Sequence, residues 1–142
     1  MSDVPPGLER IVSLFAASPR QVKLQALLDY SERLPALPDH IDSSQMERVH
    51  ECQSAFFVAV EVDDDSTVHL FFDAPREAPT TRGYAGIIAA GLDGLPADQV
   101  LAIPDDFYTR MGLADVVTPM RLRGMQAILG TVKRQVRDAL AA

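Results

Sequence analysis

In residues 55–72, AFFVAVEVDDDSTVHLFF, apolar side chains alternate on both sides of a polar break, and this alternation decides the fold class. Phe56, Val58, Val60 and Val62 fall on one face of an extended chain. After DDDS, Val68, Leu70 and Phe72 repeat the pattern. β-branched and aromatic residues suit a pleated surface, and a period of two with one apolar face predicts a half-buried antiparallel hairpin. Residues 46–50 add a short third strand. The first long strand is expected about two residues after Cys52, the chain's only cysteine.

Outward from the hairpin the period changes to that of a helix. Leu8, Ile11, Val12 and Phe15 share a face behind Pro5 and Pro6, which suit a first helical turn. Residues 20–33 form a second helix, with Ser18 as its N-cap, Pro19 in its first turn, and Val22, Leu24, Leu27 and Leu28 on its inner face. LPALPDH ends that helix and begins an irregular connection to Met46. Beyond the hairpin, Thr80 or Thr81 caps a helix whose inner stripe is Ile87, Ile88, Gly91 and Leu92. PADQVLAIP and PDDFYTRMGL read as two short helices. TPMRLRGMQAILGTVKRQVRDALAA closes the chain as one long amphipathic helix with Leu122, Met125, Ile128, Leu129, Val132, Val136 and Leu140 inward. Lys133, Arg134 and Arg137 suit its negative end. Helices flanking a run of strands predict an α+β fold, a two-layer domain in which a small antiparallel sheet of about three strands packs against several helices.

The chain has 142 residues, which fits a single domain over 1–142 able to bury a core without disulfides or a structural metal. Hydrophobic residues at 47% and charged residues at 23% exclude a disordered chain. A formal charge of -7, with no basic cluster interleaved with aromatics, predicts no nucleic-acid partner. Glu9, Arg10 and Ser13 interrupt any signal-peptide core, and no stretch reaches transmembrane length. A reduced cytoplasm without membrane attachment is the expectation.

Cys52 lies in a polar HECQS segment, which points to a loop tip or strand lip rather than the core. Gln53 and Ser54 offer donors to a thiolate. His50 would lower the thiol pKa and Glu51 would raise it, so the neighbouring residues leave the sign open. His40, His50 and His69 lack ligand spacing, so no metal site is expected, and a lone cysteine excludes a Cys-X-X-Cys redox pair. A redox-sensing thiol needs only exposure and activation. Arg82-Gly83 and Arg121, Arg123-Gly124 sit in early turns of expected helices, where the arginines suit solvent and the glycines suit close packing. Residues 63–65 read as a solvated turn.

Together these stretches resemble the SufE family, and the actinobacterial SufE-like proteins in particular, over nearly the whole chain. RLPALP at residues 33–38 is similar to the family's loop after its second helix. The family's Gly-Cys-Gln-Ser signature stands here as Glu51-Cys52-Gln53-Ser54, and its Arg-Gly-Leu helix start as Arg82-Gly83-Tyr84. Its Ser/Thr-Pro-Ser-Arg-x-x-Gly-Leu motif becomes residues 118–125, TPMRLRGM. Glu51 replaces a glycine and Met120 a serine, and Glu77 keeps one acid of the pair that precedes the Arg-Gly helix.

The resemblance implies a sulfur acceptor and carrier. Cys52 would take persulfide sulfur from a pyridoxal-phosphate-dependent cysteine desulfurase of the SufS-like kind, stimulate that enzyme, and pass the sulfur to an iron-sulfur scaffold such as a SufBCD-like complex. Pyridoxal phosphate stays with the desulfurase, and this chain carries no cofactor. Gln53, Ser54 and Arg121 would hold the charged sulfur or the loop, while Glu51, Glu77, Arg82 and Arg123 would face the partner. A non-catalytic regulator that binds the desulfurase is the alternative, and a redox-sensing thiol is a third.

Overall fold

The alternation in residues 55–72 folds as expected, with strands at Phe57–Val62 (β2) and Val68–Asp73 (β3) pairing antiparallel from Phe57↔Asp73 to Val62↔Val68. The computed structural model describes residues 3–142. A two-residue strand, Glu47–Arg48 (β1), joins the other side of β2 to give the order β1-β2-β3. The long strand begins five residues after Cys52 rather than two, because residues 50–54 are spent turning the chain. Phe56, Val58, Val68, Leu70 and Phe72 are buried on one face of the sheet, as their period requires.

Five helices make up the other layer, α1 (Pro6–Ala17), α2 (Arg20–Arg33), α3 (Pro79–Leu92), α4 (Ala97–Ala102) and α5 (Pro119–Ala141), with α5 and α3 making the main contacts to the sheet. The result is the expected α+β two-layer arrangement. Helix α3 is its centre, buried nearly all round and packed on α1, α2, α5 and β3. A Cβ at Gly83 or Gly86 would overlap the Leu27 or Tyr30 carbonyl of α2, so these glycines let two helix backbones touch. That contact corrects the expected face of α2. Val22 and Leu24 point outward, 49% and 40% exposed, while Lys23, Leu27 and Ser31 are buried at i, i+4 and i+8. The buried Lys23 pairs at its tip with the exposed Asp115 carboxylate at 3.5 Å.

Other local expectations shift for identifiable reasons. Ser18 does not cap α2; its hydroxyl donates to Leu14 O at 2.6 Å and ends α1 instead. Thr80 and Thr81 lie inside α3, whose N-cap is Ala78 and which has no side-chain cap. Residues 107–111 form a 3-10 turn rather than an α-helix, closed by Gly112 at φ 70°. On α5, Leu140 is 48% exposed because the sheet ends before it, and Lys133 is buried, bonded to Ile103 O and to Asp105 at 2.7 Å. Among the described residues, no helix is long and apolar enough to cross a membrane.

Candidate functional site

Cys52 sits in the connection between β1 and β2. Val49 N–H donates to Phe56 O at 2.9 Å and Cys52 N–H to Val49 O at 3.1 Å, so the loop closes on an extension of the β1–β2 ladder. Buried Val49 and Phe56 anchor its base, while Glu51 and Gln53 at its tip are exposed. The thiol between them turns inward. Cys52 is 6% exposed, against the expectation of a solvent-facing lip, and its Sγ donates weakly to Gly124 O of α5 at 3.8 Å. A Cβ on Gly124 would stand 3.2 Å from Sγ and 3.6 Å from Cys52 Cα, so the glycine is what lets the loop rest on the helix.

The sign left open by the neighbouring residues is now fixed. Burial against α5 pushes the thiol pKa up, and the Glu51 carboxylate adds to the rise, to about 11. In this seat the thiolate is about a hundredfold scarcer at neutral pH than for a thiol at the ordinary value of 9.0. The resting cysteine is sheltered and chemically quiet.

A cavity of about 250 Å³ opens beside it, lined by Glu51, Cys52, Gln53 and Ser54 from the loop, by Glu77, Ala78 and Thr81 from the start of α3, and by Met120, Arg121 and Gly124 from the start of α5. Two helix N-termini therefore meet at one cysteine, and their positive dipole ends favour a negative sulfur. Thr118 caps α5 by accepting Arg121 N–H at 3.3 Å, whereas α3 has no capping side chain. The Arg121 guanidinium donates to Thr80 Oγ1 at 2.6 Å, which ties the two helix starts together across the cavity.

The structure thus brings together Cys52, Gln53, Ser54, Glu51, Glu77 and Arg121 from the sequence-expected set. Arg82 and Arg123 lie outside the cavity. Arg82 is occupied in holding the fold, its Nε donating to Ser31 O at 2.9 Å and its NH1 to Ala74 O at 2.6 Å. Arg123 is exposed on the neighbouring surface of α5. Sequence reading missed Thr80, Thr81 and Ala78, whose proximity depends on where α3 starts. It noted Gly124 as a helix-packing glycine, when its neighbour is the Cys52 loop. Among the described residues, no group of three His, Cys, Asp or Glu side chains is placed to hold a metal.

The SufE family model, described as an Fe-S metabolism associated domain, matches residues 9–136. The chain is 51% identical over 138 residues to an uncharacterized SufE-like protein of Mycobacterium tuberculosis, covering 97% of this chain and 96% of that protein. A cysteine desulfuration protein SufE of Plasmodium vivax is 25% identical over 131 residues, covering 90% of this chain and 52% of the longer protein. A solution structure of a hypothetical protein from Thermus thermophilus superposes with a TM-score of 0.87 at 41% identity, covering 98% of this chain and 99% of that one.

Proposed function

The chain belongs to the SufE family, and from that premise we propose that it accepts persulfide sulfur from a cysteine desulfurase on Cys52 and carries it to an iron-sulfur assembly scaffold. The observation that supports this reading most is the seat of the only cysteine: a sheltered thiol on a short loop, facing a polar cavity beside two helix N-termini.

In the transfer step the Cys52 thiolate attacks the outer sulfur of the desulfurase persulfide. The new S–S bond forms on Cys52 as the old one breaks, and the desulfurase cysteine leaves as a thiolate. No oxidant and no second cysteine on this chain are needed. The resting thiol, held near 11, is too protonated to react quickly, so docking has to draw the loop off α5 first. Little resists that motion: one weak bond to Gly124 O and the burial of one small side chain. After transfer, the persulfide is charged at neutral pH and fits the cavity better than the thiol did. The start of α3 and the Arg121 guanidinium favour the charge, and Gln53 and Ser54 offer donors. Glu51 and Glu77 are exposed at the rim, where they would meet a basic partner surface.

A redox sensor needs an acidic, exposed thiol, and this one is neither. Cys52→Ser tests the carrier against the regulator: it should fold as the wild type does and fail to stimulate a desulfurase. Stimulation retained in full by Cys52→Ser would replace the carrier with a non-catalytic regulator.

A further inference from the structure

A second cavity, of about 400 Å³, lies at the other end of α3 and shares no lining residue with the Cys52 cavity. One of its walls is β3, an edge strand, and edge strands expose backbone groups that invite another chain. Most of this edge is sealed. Val68 N–H donates to Leu95 O at 2.9 Å and Val68 O accepts from Gly94 N–H at 2.8 Å. Leu70 N–H donates to Asp93 Oδ1 at 2.8 Å, and Ala74 O accepts from Arg82. These bonds identify 68, 70, 72 and 74 as the outward-facing positions, since β2 takes the backbone groups of the alternate residues.

Four groups between the seals have no partner among the described residues: Leu70 C=O, Phe72 N–H, Phe72 C=O and Ala74 N–H; the first three belong to residues that line the cavity. Leu70 and Phe72 both line the cavity and are only 7% and 3% exposed, and a backbone group left unpaired at such a place is costly. These groups amount to the edge that a two- or three-residue strand would satisfy. The remaining walls suit such a guest. Gly86, Ala89 and Ala90 of α3 make a floor of small residues, and the connection between Pro35 and Pro38 makes a stiff opposite wall. One cation is available. Arg33 lies 4.4 Å over the Tyr30 ring and uses only its Nε, on Asp29 O, leaving both terminal nitrogens unspent among the described residues. Asp93, the cavity's carboxylate, is already engaged by Leu70 N–H.

We propose that this cavity binds a short extended segment of a partner protein, added as a strand to Leu70 and Phe72, with an acidic side chain of the segment meeting Arg33. Such a segment would draw its affinity from main-chain bonds and its selectivity from small side chains on the floor and one carboxylate. Because the two cavities are separate, a bound segment leaves Cys52 free to exchange sulfur.

The test is a titration of the full 15N-labelled chain with acetyl-Val-Ala-Glu-Val amide and its register-shifted form, acetyl-Ala-Glu-Val-Ala amide, followed by NMR. Shifts should centre on the Phe72 amide and on residues 33–38, and amide exchange at Phe72 should slow. N-methylating the inner residues one at a time should weaken binding about tenfold at alternate positions only, because a strand presents every second N–H to its neighbour. Glu→Gln in the peptide, or Arg33→Gln in the protein, should each weaken binding, and the two together should cost no more than either alone. Ala90→Leu, at an exposed helix position that tolerates the change, should block the groove. Absence of shifts at Phe72 at millimolar peptide overturns the proposal. So does equal binding of every N-methylated peptide, which would make the cavity a side-chain or small-molecule pocket.

Discussion

Gly124→Ala perturbs the seat of the thiol without touching its chemistry. The added Cβ falls 3.2 Å from Sγ, tight enough that the sulfur has to give by a few tenths of an ångström, while its 3.6 Å distances to Cys52 Cα and Glu51 O are ordinary contacts. Inside α5 the same change favours the helix by about 1 kcal/mol, while overpacking costs about 1–3 kcal/mol, so the fold should survive with little net loss. The loop is the part free to yield. As the sulfur leaves α5 it loses the burial that is the larger cause of its raised pKa, which should fall from about 11 toward 9.0. Two pKa units correspond to about 3 kcal/mol and to about a hundredfold more thiolate at pH 7, so full release sets that ceiling on the gain in rate. Iodoacetamide alkylation followed by intact mass reads this directly, because the chain has one cysteine. Gly124→Ala should react faster than wild type at pH 7, by up to about a hundredfold, with its pH midpoint displaced downward. An unchanged midpoint and rate would refute the view that contact with α5 keeps the thiol quiet.

Glu51→Gln should lower the alkylation midpoint by less than Gly124→Ala does, since Glu51 is the smaller of the two causes that raise it; an equal or larger drop in the pH–rate profile would reverse that order. Between the unfolded thiol value of 9.0 and the folded value of about 11, only the native state keeps its proton, so stability falls as pH rises through that window. Urea melts should show a loss of up to about 3 kcal/mol there in wild type but not in Cys52→Ser, unless the loop opens first and caps the loss. Arg121→Ala should slow sulfur uptake from a desulfurase severalfold with little change in Tm, while Arg134→Ala, whose guanidinium pairs with exposed Glu47 and Asp138, should alter neither. Arg82→Ala should instead lower stability by about 2–3 kcal/mol, since it strands the Ser31 and Ala74 carbonyls; a normal melt would return Arg82 to the partner-facing set.

The hairpin was legible because its period of two is local, and α5 because its apolar stripe runs for five turns. The inner face of α2 was not. Its apolar positions Val22 and Leu24 point away from the core, because Gly83 and Gly86 bring α3 onto the α2 backbone at Leu27 and Tyr30, a contact set by residues 56 positions downstream. Lys133, read as a charge suiting the helix's negative end, instead has its stem buried and its ammonium paired with Asp105, and Lys23 is buried and paired with Asp115 in the same way. The site divides the same way. That Cys52 stands in a loop before a strand could be read from HECQS; that it is buried could not, because its cover is Gly124, seventy-two residues away. Arg121 was placed at the cavity by resemblance, and its hydrogen bond to Thr80 appeared only once α3 and α5 were seen to start side by side.

The central claim is that sulfur rides on Cys52. The full chain, incubated with a cysteine desulfurase and L-cysteine and then passed to intact-mass analysis without reductant, should gain one sulfur atom, lost again on adding dithiothreitol and absent from Cys52→Ser. A desulfurase that turns over faster in the presence of the chain, while the chain's mass stays unchanged, would contradict it.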